Sequence, residues 1–453
     1  MRQLIVAALC GMLTAGAGAG AQDDYKPPTG KLVKMVVVSR HGVRSPLEAN
    51  SALAAWTVGR AWPAWPTGRP GLLTDRGGEL AALMGGYYRV HVAQAGLVPA
   101  GGCPASSSVF IRADVDERTV ATAQAIARGF APDCRIDVRR ATPSPDPLFH
   151  PTKARVCAID AKKAERAIRA RLPDGFAGLD RKHGAAIATT QDLLQYCRPE
   201  ICSGPHVNAC CRTSACAKTG VSGSACKLTD IPTGLTDGKA GLRMCGAIGI
   251  GSTASEIFLL EYAQGMREQD VAWGALNGAN LEKLQSALTL HNAQSDLMER
   301  TPYIAARQGS MLLRAVLSAL QGNAASGQLT GPMPPNDAAF VAFVGHDTNL
   351  ANLGAMMEAK WSATPQVPDQ TAPASALVFE LRLQANGARD VYVYYQAQSL
   401  AQMRERTALT AAHPPVRKSL HLTRCSRGEP GAPCELAKFS AAIKRSLVTD
   451  CLK

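Results

Sequence analysis

The stretch Lys31–Ser39 reads KLVKMVVVS, a run of β-branched residues of strand length that stops at a cluster of charge, RHGVRSP. The same plan recurs twice. SSVFIRADVDERTVATAQAIARGF predicts a strand to about Arg112, a short polar turn, and a helix to about Phe130. AAFVAFVGHDTNLANLGAMME predicts a strand to Val344 and a helix from about Thr348. LTDRGGELAALMGGYYRVHVAQAGL carries Leu80, Leu83, Met84 and Tyr87 at helical spacing, with Thr74 or Asp75 as its cap. Near the C-terminus, SALVFELRL and RDVYVYYQA predict two more strands. Strands alternating with helices imply an α/β fold: a layered α/β domain with a mixed, mainly parallel central sheet flanked by helices.

Residues 158–298 hold few strand signals and read as mainly helical or irregular. The expected organisation is a discontinuous α/β domain, 22–157 and 299–453, with a smaller, mainly α-helical domain inserted at 158–298. Cys197, Cys202, Cys210, Cys211, Cys216 and Cys226 crowd into an excursion, 197–226, with Gly, Ser and Pro between them. Disulfides and a zinc site compete for that cluster. Its spacings lack paired CxxC units, and an exported chain favours disulfides.

Residues 1–21 stand apart. A positive charge, an apolar stretch from Leu4 to Leu13, and AGAGAGA follow one another, the layout of a secretory signal cleaved after Ala21. The apolar stretch is shorter than the roughly 20 residues a bilayer span needs, and no later segment is long and apolar enough. The mature protein is therefore expected in the periplasm or secreted, with no membrane association. Of the 14 cysteines, all but Cys10 lie beyond residue 21, an odd number that leaves at least one without an internal partner.

At 453 residues and 46% hydrophobic, the chain suits a globular protein with more than one core. Its net charge of +13 includes no basic block and no aromatic-rich basic stripe, which argues against nucleic-acid binding. Positive charge gathered in a cleft suits a small anionic substrate. A monomer is expected.

In open α/β sheets, ligands bind outside the carboxyl ends of the strands. If the three strands run parallel, Arg40, His41, Arg44, Arg118, His346 and Asp347 meet on one edge. The arginines offer planar donors suited to phosphate oxygens, and His346 adds another. His41 lies among cations, which disfavour its protonation and leave a neutral imidazole able to attack phosphorus. Asp347 is placed to protonate a leaving oxygen and then activate water. The set calls for no metal and no cofactor. Each residue alone has a plainer reading: His41 as a satisfied polar side chain, Asp347 as a helix cap, Arg118 as a surface residue, and Asp114 and Asp116 as caps or arginine partners. Only the combination of R-H-G-x-R-x-P after one strand with a distant G-H-D after another points to a site.

That combination resembles the histidine acid phosphatases, a branch of the histidine phosphatase superfamily that includes bacterial phytases and periplasmic glucose-1-phosphatases. WPAWPTGRPGLLTDRGGEL, ADVDERTVATAQA, SPDPLF, SEIFLLEYAQGM, VGHDTNLANL and VFELRL are similar to bacterial phytase segments. The resemblance implies His41 as nucleophile and Asp347 as proton donor. It implies Arg40, Arg44, Arg118 and His346 as ligands of the scissile phosphate, and Glu256 as a residue lining the cleft. It also implies disulfides Cys103–Cys134, Cys157–Cys451, Cys425–Cys434 and Cys216–Cys226. Leu47 and Glu48 depart from the Thr-Lys that such phytases carry, and Gln308, beside Arg307, stands near another of their arginines. Transfer of the phosphoryl group to an acceptor alcohol, or non-catalytic binding of a phosphate ester, are the competing functions.

Overall fold

The computed structural model describes residues 25–452, apart from 50–52, 54–55, 58–59, 143, 197–226, 239–240, 324–330, 364–365 and 426–428. The expected signal and the cysteine-rich excursion, with Cys216–Cys226, lie outside the described residues.

An eight-stranded sheet organises the chain, in the order β10-β8-β7-β1-β6-β2-β3, with β9 pairing β8. Its strands are β1 (Lys31–Arg40), β2 (Val109–Ala113), β3 (Val138–Arg139), β6 (Phe340–Gly345), β7 (Ala376–Leu383), β8 (Arg389–Ala397), β9 (Val416–Ser419) and β10 (Cys434–Glu435). Strands β1, β6, β2 and β3 are mutually parallel, and β7, β8, β9 and β10 join by antiparallel ladders. The run VVV in β1 shows why the sheet is buried on both sides. Val36 and Val38 face one apolar cluster, and Met35 and Val37 the other. Alternation along a strand sends successive side chains to opposite faces.

Helices cover both faces. On one side lie α1 (Asp75–Gln94) and α2 (Glu117–Phe130), contributing Met84, Tyr88, Ile126 and Phe130. Thr74 caps α1 by accepting the amide of Gly77. On the other side lie α8 (Pro302–Gln321), α9 (Asp347–Met356) and α11 (Leu436–Ser446), with the short α10 (Leu400–Glu405) nearby. Residues 158–298 form α3 (Ala161–Arg169), α4 (Gly175–Lys182), α5 (Gly184–Leu194), α6 (Gly246–Ala263) and α7 (Leu281–Met298). Their apolar side chains run without a break into this second cluster. The same segment holds a hairpin, β4 (Gly234–Gly238) with β5 (Gly241–Cys245), that its weak apolar alternation did not announce.

Three disulfides join the cysteine pairs that the family resemblance implied: Cys103–Cys134, Cys157–Cys451 and Cys425–Cys434. Cys245 is also disulfide-bonded. Among the described residues, no helix is long and apolar enough to cross a membrane.

Candidate active site

Strand order brings the three charged junctions together. β6 lies between β1 and β2, parallel to both, with Arg40 level with Gly345 and Ala113 level with Val344. Their carboxyl ends therefore open on one edge. The amide of His41 donates to the carbonyl of Gly345 at 2.9 Å, and that of Asp114 to Val344 at 2.9 Å.

The loop after β1 is seated on the first turn of α1 by backbone contact. Thr74 donates both its amide and its hydroxyl to the carbonyl of Val43, at 3.0 and 3.2 Å. A Cβ at Gly77 would lie 2.2 Å from that carbonyl oxygen, and one at Gly42 would lie 2.8 Å from the carbonyl oxygen of Gly77. Only glycine at both positions allows this approach. It fixes the flanking residues His41 and Arg44, both buried.

His41 faces His346 with ring centroids 5.6 Å apart. Its Nδ1 lies 2.9 Å from the carbonyl oxygen of Gly42. A carbonyl only accepts, so Nδ1 carries the hydrogen and Nε2 carries the lone pair. Burial pushes the proton affinity of His41 well below the ordinary imidazole range, and the charges of Arg40 and Arg44 push it further. The ring is thus held neutral, with its lone pair on Nε2.

Arg40, 1% exposed, and Arg44, 5% exposed, both donate to Oε1 of Glu256 from α6, Arg44 at 3.0 Å. Arg40 also lies 3.1 Å from Oδ2 of Asp347. Burial raises the proton affinity of Glu256, but Arg44 and Arg40 outweigh it and keep the carboxyl ionised. The same contest leaves Asp347 well below the usual carboxylate range, with Arg40 as the main opposing charge. Asp347 is the first residue of α9, and its Oδ1 accepts the amide of Thr348 at 2.8 Å. The N-cap of α9 is His346, and the carboxylate of Asp347 serves both the first turn of the helix and Arg40. Arg118, on α2, lies 3.3 Å from Nδ1 of His346 and pairs with Asp116 at 2.6 Å. The Nε donors of Arg40, Arg44 and Arg118 are buried with no hydrogen-bond partner, a surplus of donors that suits an oxyanion.

All seven residues singled out from the sequence therefore lie in one cluster or on its rim. Two more were missed. His291 of α7 approaches Oε2 of Glu256 at 4.0 Å and Ser252 Oγ at 3.1 Å. His150 donates to Asp114 at 2.9 Å, beside His346. Neither follows a strand, the cue that selected the residues after β1, β2 and β6, and the family resemblance named neither. Asp114 is a correction: among the described residues it caps no helix and pairs with no arginine. It accepts instead from two imidazoles, His150 and His346. Arg307, near the position where phytases carry another arginine, turns away and donates to the carbonyl of Ala158 at 2.7 Å.

Two groups bring metal-ligand types together: Glu256 with His291 and Asp347, and Asp114 with Asp116, His150 and His346. In both, the carboxylates already accept from arginines or imidazoles of the protein.

A cluster of guanidinium groups and a neutral imidazole, at the carboxyl ends of parallel strands, suits phosphoryl chemistry. The chain belongs to the histidine phosphatase superfamily (branch 2), whose family model matches residues 31–202 and 255–396, and it is a phosphomonoester hydrolase. Phytase AppA of Escherichia coli (strain K12) is 37% identical over 94% of this chain and 94% of its own length. A glucose-1-phosphatase of Salmonella typhimurium is 27% identical over 97% of each chain. The structure of Hafnia alvei phytase in complex with tartrate superposes with a TM-score of 0.82 at 34% identity, covering 94% of this chain and 100% of that one.

Proposed function

We propose that the protein is an exported acid phosphatase that cleaves phosphate monoesters through a phosphohistidine on His41. The observation that carries this reading is the lone pair of His41 Nε2, fixed by the Nδ1 hydrogen bond to Gly42 and surrounded by Arg40, Arg44, Arg118 and His346. Nε2 attacks phosphorus, a P–N bond forms, and the P–O ester bond breaks. Asp347 gives its proton to the departing oxygen. Water then attacks phosphorus, Asp347 takes a proton from it, the P–N bond breaks, and phosphate leaves. The arginines hold the equatorial oxygens and stabilise the transition state by charge and position. Glu256 keeps Arg40 and Arg44 aligned before substrate arrives.

Inositol phosphates are the favoured substrates, with sugar phosphates next, an order supported by the higher identity to the phytase than to the glucose-1-phosphatase. Glu48 and Leu47, both exposed beside the loop, weigh against a preference for the most highly phosphorylated esters. The inserted-domain division at 158–298 is part of the same reading, since α6 and α7 of that segment bring Glu256 and His291 to the rim.

Trapping the intermediate tests the proposal. Enzyme mixed with a labelled phosphate monoester and quenched in alkali, where phosphohistidine survives, should carry label on the peptide containing His41. Steady hydrolysis with no labelled histidine would overturn it. On the same batch, kcat/KM for inositol hexakisphosphate, glucose 1-phosphate and an aryl phosphate ranks the substrates.

A further inference from the structure

Asp114 is fully buried just past the end of β2, and one of its oxygens, Oδ2, accepts from Nε2 of His346 at 2.7 Å and from Nε2 of His150 at 2.9 Å. The two rings lie 4.8 Å apart between centroids. His150 is held there by the segment before it. Arg112, two positions before Asp114, donates to both oxygens of the buried Asp146 at 2.8 Å. Asp146 in turn accepts the amides of Leu148 at 2.9 Å and His150 at 2.8 Å. Asn349 clamps the other side: its amide donates to the carbonyl of Phe149 at 3.0 Å, and its oxygen accepts the amide of His346 at 2.9 Å.

The hydrogen bonds fix the tautomers. A carboxylate oxygen only accepts, so both rings carry hydrogen on Nε2. In neutral His346, Nδ1 is then an acceptor, and it faces Arg118 at 3.3 Å. A lone pair there repels a phosphoryl oxygen. His346 becomes a donor to an anion at Nδ1 only by taking up a proton.

We propose that His150 is a positioning residue of the anion site: by sharing Asp114 with His346, it governs when His346 presents an Nδ1 hydrogen to a bound oxyanion. Removing His150 leaves Asp114 to His346 alone, so the charged form of His346 persists to higher pH. Burial and His150 both lower the proton affinity of His346, against Asp114, which raises it. The other groups facing this pair are Asp116 and Arg118 from the turn and helix after β2, His41 after β1, and Asp347 on α9. None of them changes in the test.

This inference rests on the oxyanion reading of the site given above. The test is competitive inhibition of the full chain by sulfate, a dianion that does not itself titrate in the working range, followed against pH. Wild-type affinity should fall through an inflection as pH rises. In His150→Phe the inflection should move up by about one pH unit, so that affinity well above both inflections is roughly tenfold greater. His150→Asn keeps a donor to Asp114 without a titrating ring and should move it less, in the same direction. The imidazole NMR signals of His346 should titrate with the same displacement. Inflections that coincide in all three proteins, with affinity lowered uniformly, would make His150 a mere packing residue and overturn the proposal. A wild-type enzyme that neither binds sulfate nor hydrolyses phosphate monoesters would overturn the site reading itself, and the role of His150 with it.

Discussion

Replacing Asp347 by asparagine isolates the proton-transfer step. In the ligand-free protein the carboxylate is ionised, because Arg40 at 3.1 Å outweighs the burial that would protonate it. An ionised carboxylate donates nothing. A bound phosphomonoester alters the balance: its oxygens take over Arg40, and its charge lies against Asp347, and both effects raise the carboxyl's proton affinity. The proton can arrive with the substrate, whose second ionisation lies near ~6. Activity on alkyl phosphates should therefore decline as pH rises above about 6, although free Asp347 titrates far lower. Asp347→Asn keeps the shape and removes the proton. The expected loss in kcat/KM for an alkyl phosphate is about 10²–10⁴-fold, or roughly 3–5 kcal/mol in the barrier. An aryl phosphate, whose phenolate leaves unassisted, should lose less than about tenfold, since the general-acid contribution is the part removed. The fold should tolerate the change, because Arg40 retains Glu256 and the carbonyl of Thr371. Steady-state kinetics on the two esters, with a thermal melt as control, decide the matter. Equal losses on both would refute the assignment of Asp347 as the proton donor.

His41→Ala should abolish turnover while phosphate still binds, as read by equilibrium dialysis, because the arginines remain; measurable hydrolysis above background would remove His41 as the nucleophile. Glu261, fully buried with one oxygen bonded to the amide of Ala272, has its carboxyl pushed up to about 8 by burial. The folded state therefore keeps a proton that the unfolded chain releases near ~4.3, and stability is lost as pH rises between the two values. Glu261→Gln should raise Tm at pH 8 by an amount equivalent to about 2–4 kcal/mol and leave it nearly unchanged at pH 4; an equal gain at both would contradict this. Gly77→Ala, which adds a Cβ 2.2 Å from the carbonyl of Val43, should destabilise by about 1–3 kcal/mol and lower kcat without altering any charged group; unchanged kinetics would show that the loop does not depend on that contact.

How much of this was legible in the sequence depends on local signals. The run VVV before RHG and the run FVAFV before GHD are continuous apolar strands, and their abrupt change to charge marks the sheet edge. Parallel pairing of β1, β6 and β2 then assembled residues 40–44, 118 and 346–347 without further information. Glu256 was reached only through the family resemblance, because nothing in a helix as apolar as GAIGIGSTASEIFLLEYA says that one carboxylate faces two arginines. His150 and His291 escaped both routes. His150 follows a segment held by a buried Arg112–Asp146 pair, and such a contact leaves no periodic trace. The β4–β5 hairpin has glycines at both ends and too few alternating apolar residues to be seen. The antiparallel half of the sheet was visible as strands but not as a direction, which only the ladders of β7 with β1 and β8 supply.

On the proposed reading, the resting site is already occupied by its own carboxylates, and this has a consequence for catalysis. Arg40 and Arg44 are buried too deeply for water to shield them from each other, and removing a partner from a buried pair costs about 3–5 kcal/mol. Glu256 and Asp347 supply that partner between turnovers. An incoming phosphate must displace or share them, so part of its attraction to the arginines is spent before binding. The same carboxylates reclaim the arginines as product phosphate departs, which opposes product inhibition. Charge beyond the scissile phosphate meets a different surface. Leu47, 57% exposed, and the exposed Glu48 follow directly on the buried loop. On the same proposal, a carboxylate at that rim repels additional phosphate groups, which assigns discrimination among esters of different phosphorylation to residues 47–48 and the chemistry to the buried set behind them.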